Sequence, residues 1–230
     1  MRTVLSIAAA ALLGTALPAA AQTATDTLQV VSGPTGARGP QLMYFGPLGQ
    51  SFTAIDSTLT SFGFQFETFN AGSANAPITF SLVDGAGLGG ASLYSTSFTL
   101  PTDLPARTGV FYDFAVPNLA VAIGEVYTAI LSTTSNRVGL ALGPEYNIYT
   151  GAALGGDAYA GGQAYFTTKP YPNCTNDASS NCDLNFRVTG TRALAAAVPE
   201  PAAWAMMVVG VGMAGSALRR RQPRKAGSVA

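Results

Sequence analysis

Six acidic residues spread through the middle of the chain, Asp84, Asp103, Asp113, Glu125, Glu145 and Asp157, are the groups with which it could do chemistry. Two carboxylates flanking a sugar suffice for glycoside hydrolysis, one as acid and the other as base or nucleophile. No spacing singles out a pair, and most of the six stand in turn sequences, where Asp is favoured for its own backbone hydrogen bonds. The chain has no histidine, which excludes Ser-His-Asp and Cys-His catalysis and leaves any metal site without imidazole. We therefore read a non-enzymatic protein with no catalytic residue, no metal site and no cofactor. Calcium, which takes oxygen ligands alone, could be served by Asp84 with the glycines up to Gly90, or by the stretch from Asp177 to Asp183. Neither has the spacing of a recognised calcium loop.

The two cysteines, Cys174 and Cys182, bracket a polar loop in "YPNCTNDASSNCDL". In an oxidising compartment they are expected to pair, closing the loop and adding about 2 to 3 kcal/mol through the unfolded state. Tyr146, Tyr149, Tyr159, Tyr165 and Tyr171 crowd the later third of the body. Exposed tyrosines can stack on sugar rings, but tyrosine is also a good strand residue, so packing explains them at least as well. Gly210-Val211-Gly212-Met213-Ala214-Gly215 spells the string of a dinucleotide-binding turn. With no strand before it and no room for a βαβ unit after it, small residues for helix packing account for it better.

The two ends of the chain decide where these groups work. Residues 1–21 run from Arg2 through an apolar stretch to Ala19-Ala20-Ala21, the order of a secretory signal peptide cut after Ala21. Residues 202–218 carry no charge, and as a helix would reach roughly 25 Å against a hydrocarbon core of roughly 30 Å. Arg219, Arg220 and Arg221, with the rest of a basic tail over 219–225, would stop transfer on the cytoplasmic side. Everything between is expected to be exported through the inner membrane. That body holds six basic residues against eleven acidic ones, which argues against nucleic acid as a partner.

Just ahead of the apolar run, Pro199, Glu200 and Pro201 are expected to form an extended, accessible segment, because each proline also biases the residue before it away from the helical region. Trp204 and Ala205 follow at fixed spacing. The stretch "PEPAAWAMMVVGVGMAGSALRRR" resembles the PEP-CTERM sorting signal of Gram-negative bacteria, in the variant written Pro-Glu-Pro-x-x-Trp-Ala. Motif, span and basic block stand in the right order over 199–225. The resemblance implies processing by an exosortase, an integral-membrane protease, and a link to extracellular polysaccharide and biofilm. The processed protein would then lie at the cell surface or in the extracellular matrix.

Between the ends, apolar residues alternate in short runs. Phe62, Phe64 and Phe66 share one face of their run while Ser61, Gln65 and Glu67 share the other, and Ile78, Phe80 and Leu82 repeat the pattern, as half-buried strands do. Further runs fall at 28–32, 50–54, 91–100, 109–116, 126–133, 137–142, 163–168 and 184–189, and Asp84-Gly85 is a hairpin signal. Roughly ten strands without an amphipathic helix predict an all-β fold, an antiparallel sandwich of jelly-roll type over 22–190, followed by an Ala-rich linker at 191–198. The segments "GQSFTA", "TLTSFGF", "LVDGAGLGGASLYSTSF", "GEVYTAIL" and "DLNFRVTG" resemble those of a broad group of exported bacterial sandwich domains, which implies the fold and no ligand. Two roles fit the body: adhesion or matrix structure, or a module that binds extracellular polysaccharide.

Overall fold

The computed structural model describes residues 22–31, 39–69, 76–144, 155–167, 174, 181–194 and 201–220. The segment Thr23–Ala193 is one unit, and the C-terminal helix is treated separately below. Where β-branched and aromatic residues alternate with polar ones, the chain is extended: β1 (Thr23–Val30), β2 (Leu48–Thr53), β3 (Thr58–Thr68), β4 (Ile78–Asp84), β5 (Ser92–Phe98), β6 (Val110–Ala120) and β7 (Val126–Thr133). Shorter pieces follow as β8 (Val138–Leu140), β9 (Leu142–Gly143), β10 (Ala164–Phe166) and β11 (Asp183–Leu184), before the long β12 (Phe186–Ala193). A single helical turn, α1 (Leu42–Phe45), precedes β2.

The strands make two antiparallel five-stranded sheets. One runs β1-β12-β3-β6, with β8 also on β3, and the other runs β10-β2-β7-β4-β5; β11 and β9 form a small ribbon. Period-two alternation aims one side of each sheet at the other. Phe62 and Phe64 of β3 meet Phe52 of β2 and Phe80 of β4 in one buried cluster, with the Phe62 and Phe80 rings 4.8 Å apart. Phe114 of β6 lies 4.9 Å from Phe80 and 4.5 Å from Phe98 of β5, so the aromatic contacts run across both sheets.

All-β architecture and antiparallel sheets agree with the reading of the sequence, and β7 has the bounds expected. Several particulars differ. Strand β12 continues to Ala193 because its last residues pair with Thr23, Ala24 and Thr25 of β1, so the first part of the expected linker is strand; 195–198 lie outside the described residues. The Asp84-Gly85 hairpin does join β4 to β5, but through a longer connection closed by the Asp84 N–H donating to Ala91 O at 2.9 Å. Gly85 and Gly87 take the positive φ that this connection needs. On β3, Gln65 and Glu67 are buried like Phe64 and Phe66, so that end of the strand is covered on both faces rather than one. The signal peptide, 1–21, lies outside the described residues.

A fully buried phenylalanine in this interlocked core is worth far more than a surface hydroxyl. Phe62→Ala is expected to cost about 3 to 5 kcal/mol, and Ser97→Ala on the exposed face of β5 about 0.5 kcal/mol or less. Urea unfolding of both variants checks the contrast.

Candidate functional site

Polar chemistry inside the body gathers where β2, β11 and the segment before β10 meet. Gln50 sits on the inward phase of β2, with Ala129 of β7 and Ala164 of β10 as its cross-strand partners. These two small side chains leave room for its amide. Gln50 Nε2 donates to Asp183 Oδ1 at 2.9 Å, and Gln50 Oε1 accepts from the Leu184 N–H at 2.7 Å. Asp183 Oδ2 accepts from the Tyr159 N–H at 3.1 Å, and the same N–H lies 2.9 Å from Asp157 Oδ1. Asp183 is fully buried, whereas Asp157 is exposed.

Burial disfavours the charged form of Asp183 most strongly, and the Asp157 carboxylate adds to this both as a charge and as a hydrogen-bond partner. The bonds from Gln50 and the Tyr159 amide oppose it without prevailing, and the carboxyl is pushed up to about 7. A group of this kind gains and loses its proton within the neutral range. Its side chain has no solvent-exposed surface.

The segment 155–163 is laid along β2 as a strap. Tyr159 supplies the anchor: its hydroxyl accepts the Thr53 N–H at 3.0 Å, and its ring meets Phe186 edge-on at 5.7 Å. Farther along, Thr53 Oγ1 donates to Gly161 O at 3.0 Å, the Ser51 N–H donates to Gln163 O at 2.9 Å, and the Gln163 N–H donates to Ser51 Oγ at 2.9 Å. Such close approach needs Gly162, since a Cβ there would stand 1.9 Å from Ser51 O. The Ala164 N–H then donates to Cys182 O at 2.7 Å, beside the start of β11.

The expected disulfide between Cys174 and Cys182 is present, and both sulfurs belong to the buried core. The six carboxylates singled out above do not converge. Asp84, Asp103 and Glu125 are exposed, Asp113 is paired with Arg187, and Glu145 lies outside the described residues. Among the described five, Asp157 meets a second carboxyl, Asp183, through the Tyr159 N–H, and the sequence had offered Asp183 merely as the end of a calcium stretch. Of the other proposed calcium ligands, Asp177 is outside the described residues. The loop after Asp84 is held by Thr128, whose hydroxyl donates to Gly85 O at 2.7 Å and accepts from the Gly87 N–H at 3.1 Å. Among the described residues no three His, Cys, Asp or Glu side chains cluster as metal ligands. Tyr159 and Tyr165 are half-buried, while Tyr146, Tyr149 and Tyr171 lie outside the described residues. Gln50 went unmarked, and Asp183 was marked only for calcium, because alternation assigns a phase but does not reveal which later segment covers it. The nearest signal was Cys182, since a residue next to a buried half-cystine is drawn under the loop it closes.

Helix α2 (Pro201–Arg220) forms where the apolar run was expected. Trp204, Met206, Met207, Val208, Val209, Val211 and Met213 are each more than half exposed. A helix that is apolar all round wants an apolar surrounding. Among the described residues no helix is long and apolar enough to cross a membrane: side chains are described from Trp204 to Arg219, which is about 24 Å of helix. Ala205 and Arg219 are exposed. Pro199, Glu200 and Arg221 lie outside the described residues, as do the side chains of Pro201 and Arg220.

The strap's fit to β2 has a direct test. Gly162→Ala is expected to unseat it and to lower stability by about 1 to 3 kcal/mol, the usual range for overpacking. At Gly89, where an added Cβ has open space, the same change is expected to alter stability by no more than about 0.5 kcal/mol. Thermal unfolding of the two variants compares them.

No curated protein matches the chain. Residues 197–222 match the family model for the PEP-CTERM protein-sorting motif, which covers Pro199, Glu200, Pro201, Trp204, Ala205 and the arginines through Arg221. This chain therefore carries a PEP-CTERM protein-sorting motif at residues 197–222 and is an exported protein of the kind that an exosortase recognises.

Proposed function

We propose that the protein is a non-enzymatic component of the cell surface or extracellular matrix, delivered by its sorting motif and retained among exopolysaccharide, as in a biofilm. The observation that carries this reading is the sorting motif at 197–222, attached to a body that is all sandwich and holds a buried disulfide. Disulfides persist in compartments outside the cytoplasm. In this reading the apolar residues 202–218 cross the inner membrane as one helix before processing, and Arg219, Arg220 and Arg221 hold its cytoplasmic end. The exosortase then separates the sandwich from that helix near Pro199–Pro201.

The strand order supports a jelly roll with an insertion. With β8 to β11 set aside, the sheets read β1-β12-β3-β6 and β2-β7-β4-β5, an eight-stranded pair of four-stranded sheets. The inserted pieces carry the strap, the disulfide and the small ribbon.

A second reading, a module that binds neutral extracellular polysaccharide, has one observation in its favour. The outer face of β4, β5 and β7 presents Thr79, Ser81, Ser95, Ser97 and Ser132 with no charge among them. Thr79 and Ser97 hydroxyls lie 3.3 Å apart and those of Ser81 and Ser95 3.1 Å apart, forming polar rungs. Binding on a glycan array that is lost in Ser81→Lys would favour it over the purely structural role.

Replacing Pro199, Glu200 and Pro201 together by alanine tests the sorting route. The expected outcome is a chain that stays in the inner-membrane fraction at unprocessed size, while the unaltered protein leaves it. Identical size and location for the two would contradict the proposal.

A further inference from the structure

An open sheet ends in strands whose outer N–H and C=O groups have no partner, and these accept another strand unless something blocks them. In this sandwich β1, β6 and β10 are each blocked in a recognisable way. β1 carries Asp26 on the same phase as the core-packed Leu28, with Arg192 2.9 Å from its carboxylate. β6 breaks register with β3 between the partners of Leu59 and Ser61, at a bulge that holds Pro117 and Asn118, the latter at positive φ. β10 is three residues long.

β5 has none of these devices along most of its length. Its seven residues, Ser92–Phe98, include no charge, no proline and no glycine. After one irregularity opposite Leu82 and Val83, its pairing with β4 is regular from Tyr94 to Phe98. Among the described residues, no strand pairs with its other side. Under this edge lies a row of rings: Tyr94 and Phe98 pack on the core yet are only half-buried, and Phe98 stacks on Tyr112 at 5.3 Å and on Phe114 at 4.5 Å. An added strand would pair the open backbone and cover the ring faces in one step.

We propose that β5 is a self-association edge, on which a second copy of this chain docks its own β5 antiparallel about a two-fold axis at Thr96. The strand's own sequence selects a copy, because an isologous contact must be complementary to itself. About that axis Ser95 stands opposite the copy's Ser97, Thr96 opposite its equivalent, and Tyr94 opposite the copy's Phe98. Hydroxyls then meet hydroxyls on the outer face and rings meet rings on the inner one, both favourable cross-strand pairs. The Thr79–Ser97 and Ser81–Ser95 rungs, 3.3 and 3.1 Å across, would run on over the join. Charge points the same way. With six basic residues against eleven acidic ones, two bodies repel each other in general. At β5 a copy meets no charge, and a basic partner would find no carboxylate on the strand to grip.

Sedimentation of the full chain in detergent over a range of concentrations tests the edge. The unaltered chain is expected to reach a dimer. Ser95→Glu combined with Ser97→Glu, both at exposed positions, sets carboxylates opposite each other across the join and is expected to raise the dimer dissociation constant at least about a hundredfold. Mixing that variant with the chain carrying Ser95→Lys and Ser97→Lys is expected to restore a one-to-one pair, which also shows that both variants fold. Mild oxidation of Thr96→Cys is expected to link two copies, since directly opposed Cα atoms stand about 4.5 to 5.5 Å apart, within disulfide reach. Thr27→Cys, exposed on β1, is expected to stay unlinked. A chain that remains monomeric leaves the edge to a foreign strand and overturns the proposal. A dimer that survives the two glutamates unchanged places the contact elsewhere, on α2 for example, and overturns it too.

Discussion

The two sheets are joined by a stack of aromatic rings, and the rest of the body is arranged around it. Phe62 reaches Phe80 across the sandwich, Phe80 reaches Phe114, and Phe114 reaches Phe98. Because β3 and β4 each lie inside their sheet with neighbours on both sides, the rings are held by strands that cannot shift register without turning apolar residues outward. Everything peripheral is fastened to this frame, including the strap on β2 and the small ribbon of β9 and β11.

Burying polar groups beside that frame imposes the second constraint. Each one needs a partner, because an unpaired amide or carboxyl in the interior loses its hydration without return. Gln65 and Asn185 meet this by bonding each other at 2.6 Å, with Gln65 Nε2 donating to Gly109 O at 3.1 Å. Gln50 does so with Asp183 and the Leu184 amide. Alternation along "LTSFGFQFET" and "DLNFRVTG" located the strands and the inward phenylalanines, since period two is a local property. Gln65 read as outward because the segments that cover it, around Ala141 and Gly109, arrive from elsewhere in the chain. The disulfide was legible from two cysteines flanking a polar loop, but the meeting of Asp157 with Asp183 was not. It depends on how the strap folds back over β2.

The tail obeys a different rule from the body. Its helix exposes valine, methionine and tryptophan on every side, which water does not favour and a membrane does. Its sequence was legible because the sorting signal is a linear string, with prolines, tryptophan and arginines at set distances, and needs no tertiary partner to be recognised. The sandwich carries no comparable string. Its role must be sought in surfaces, and among the described residues the uncharged hydroxyl face of β4, β5 and β7 offers one.

Intact mass spectrometry of the native protein from envelope and culture-medium fractions, with both termini mapped, tests the central claim most directly. Export and exosortase sorting predict a chain that starts near Gln22 and ends close to the Pro-Glu-Pro segment. A chain found in the inner membrane with its tail intact through Ala230 would contradict the account.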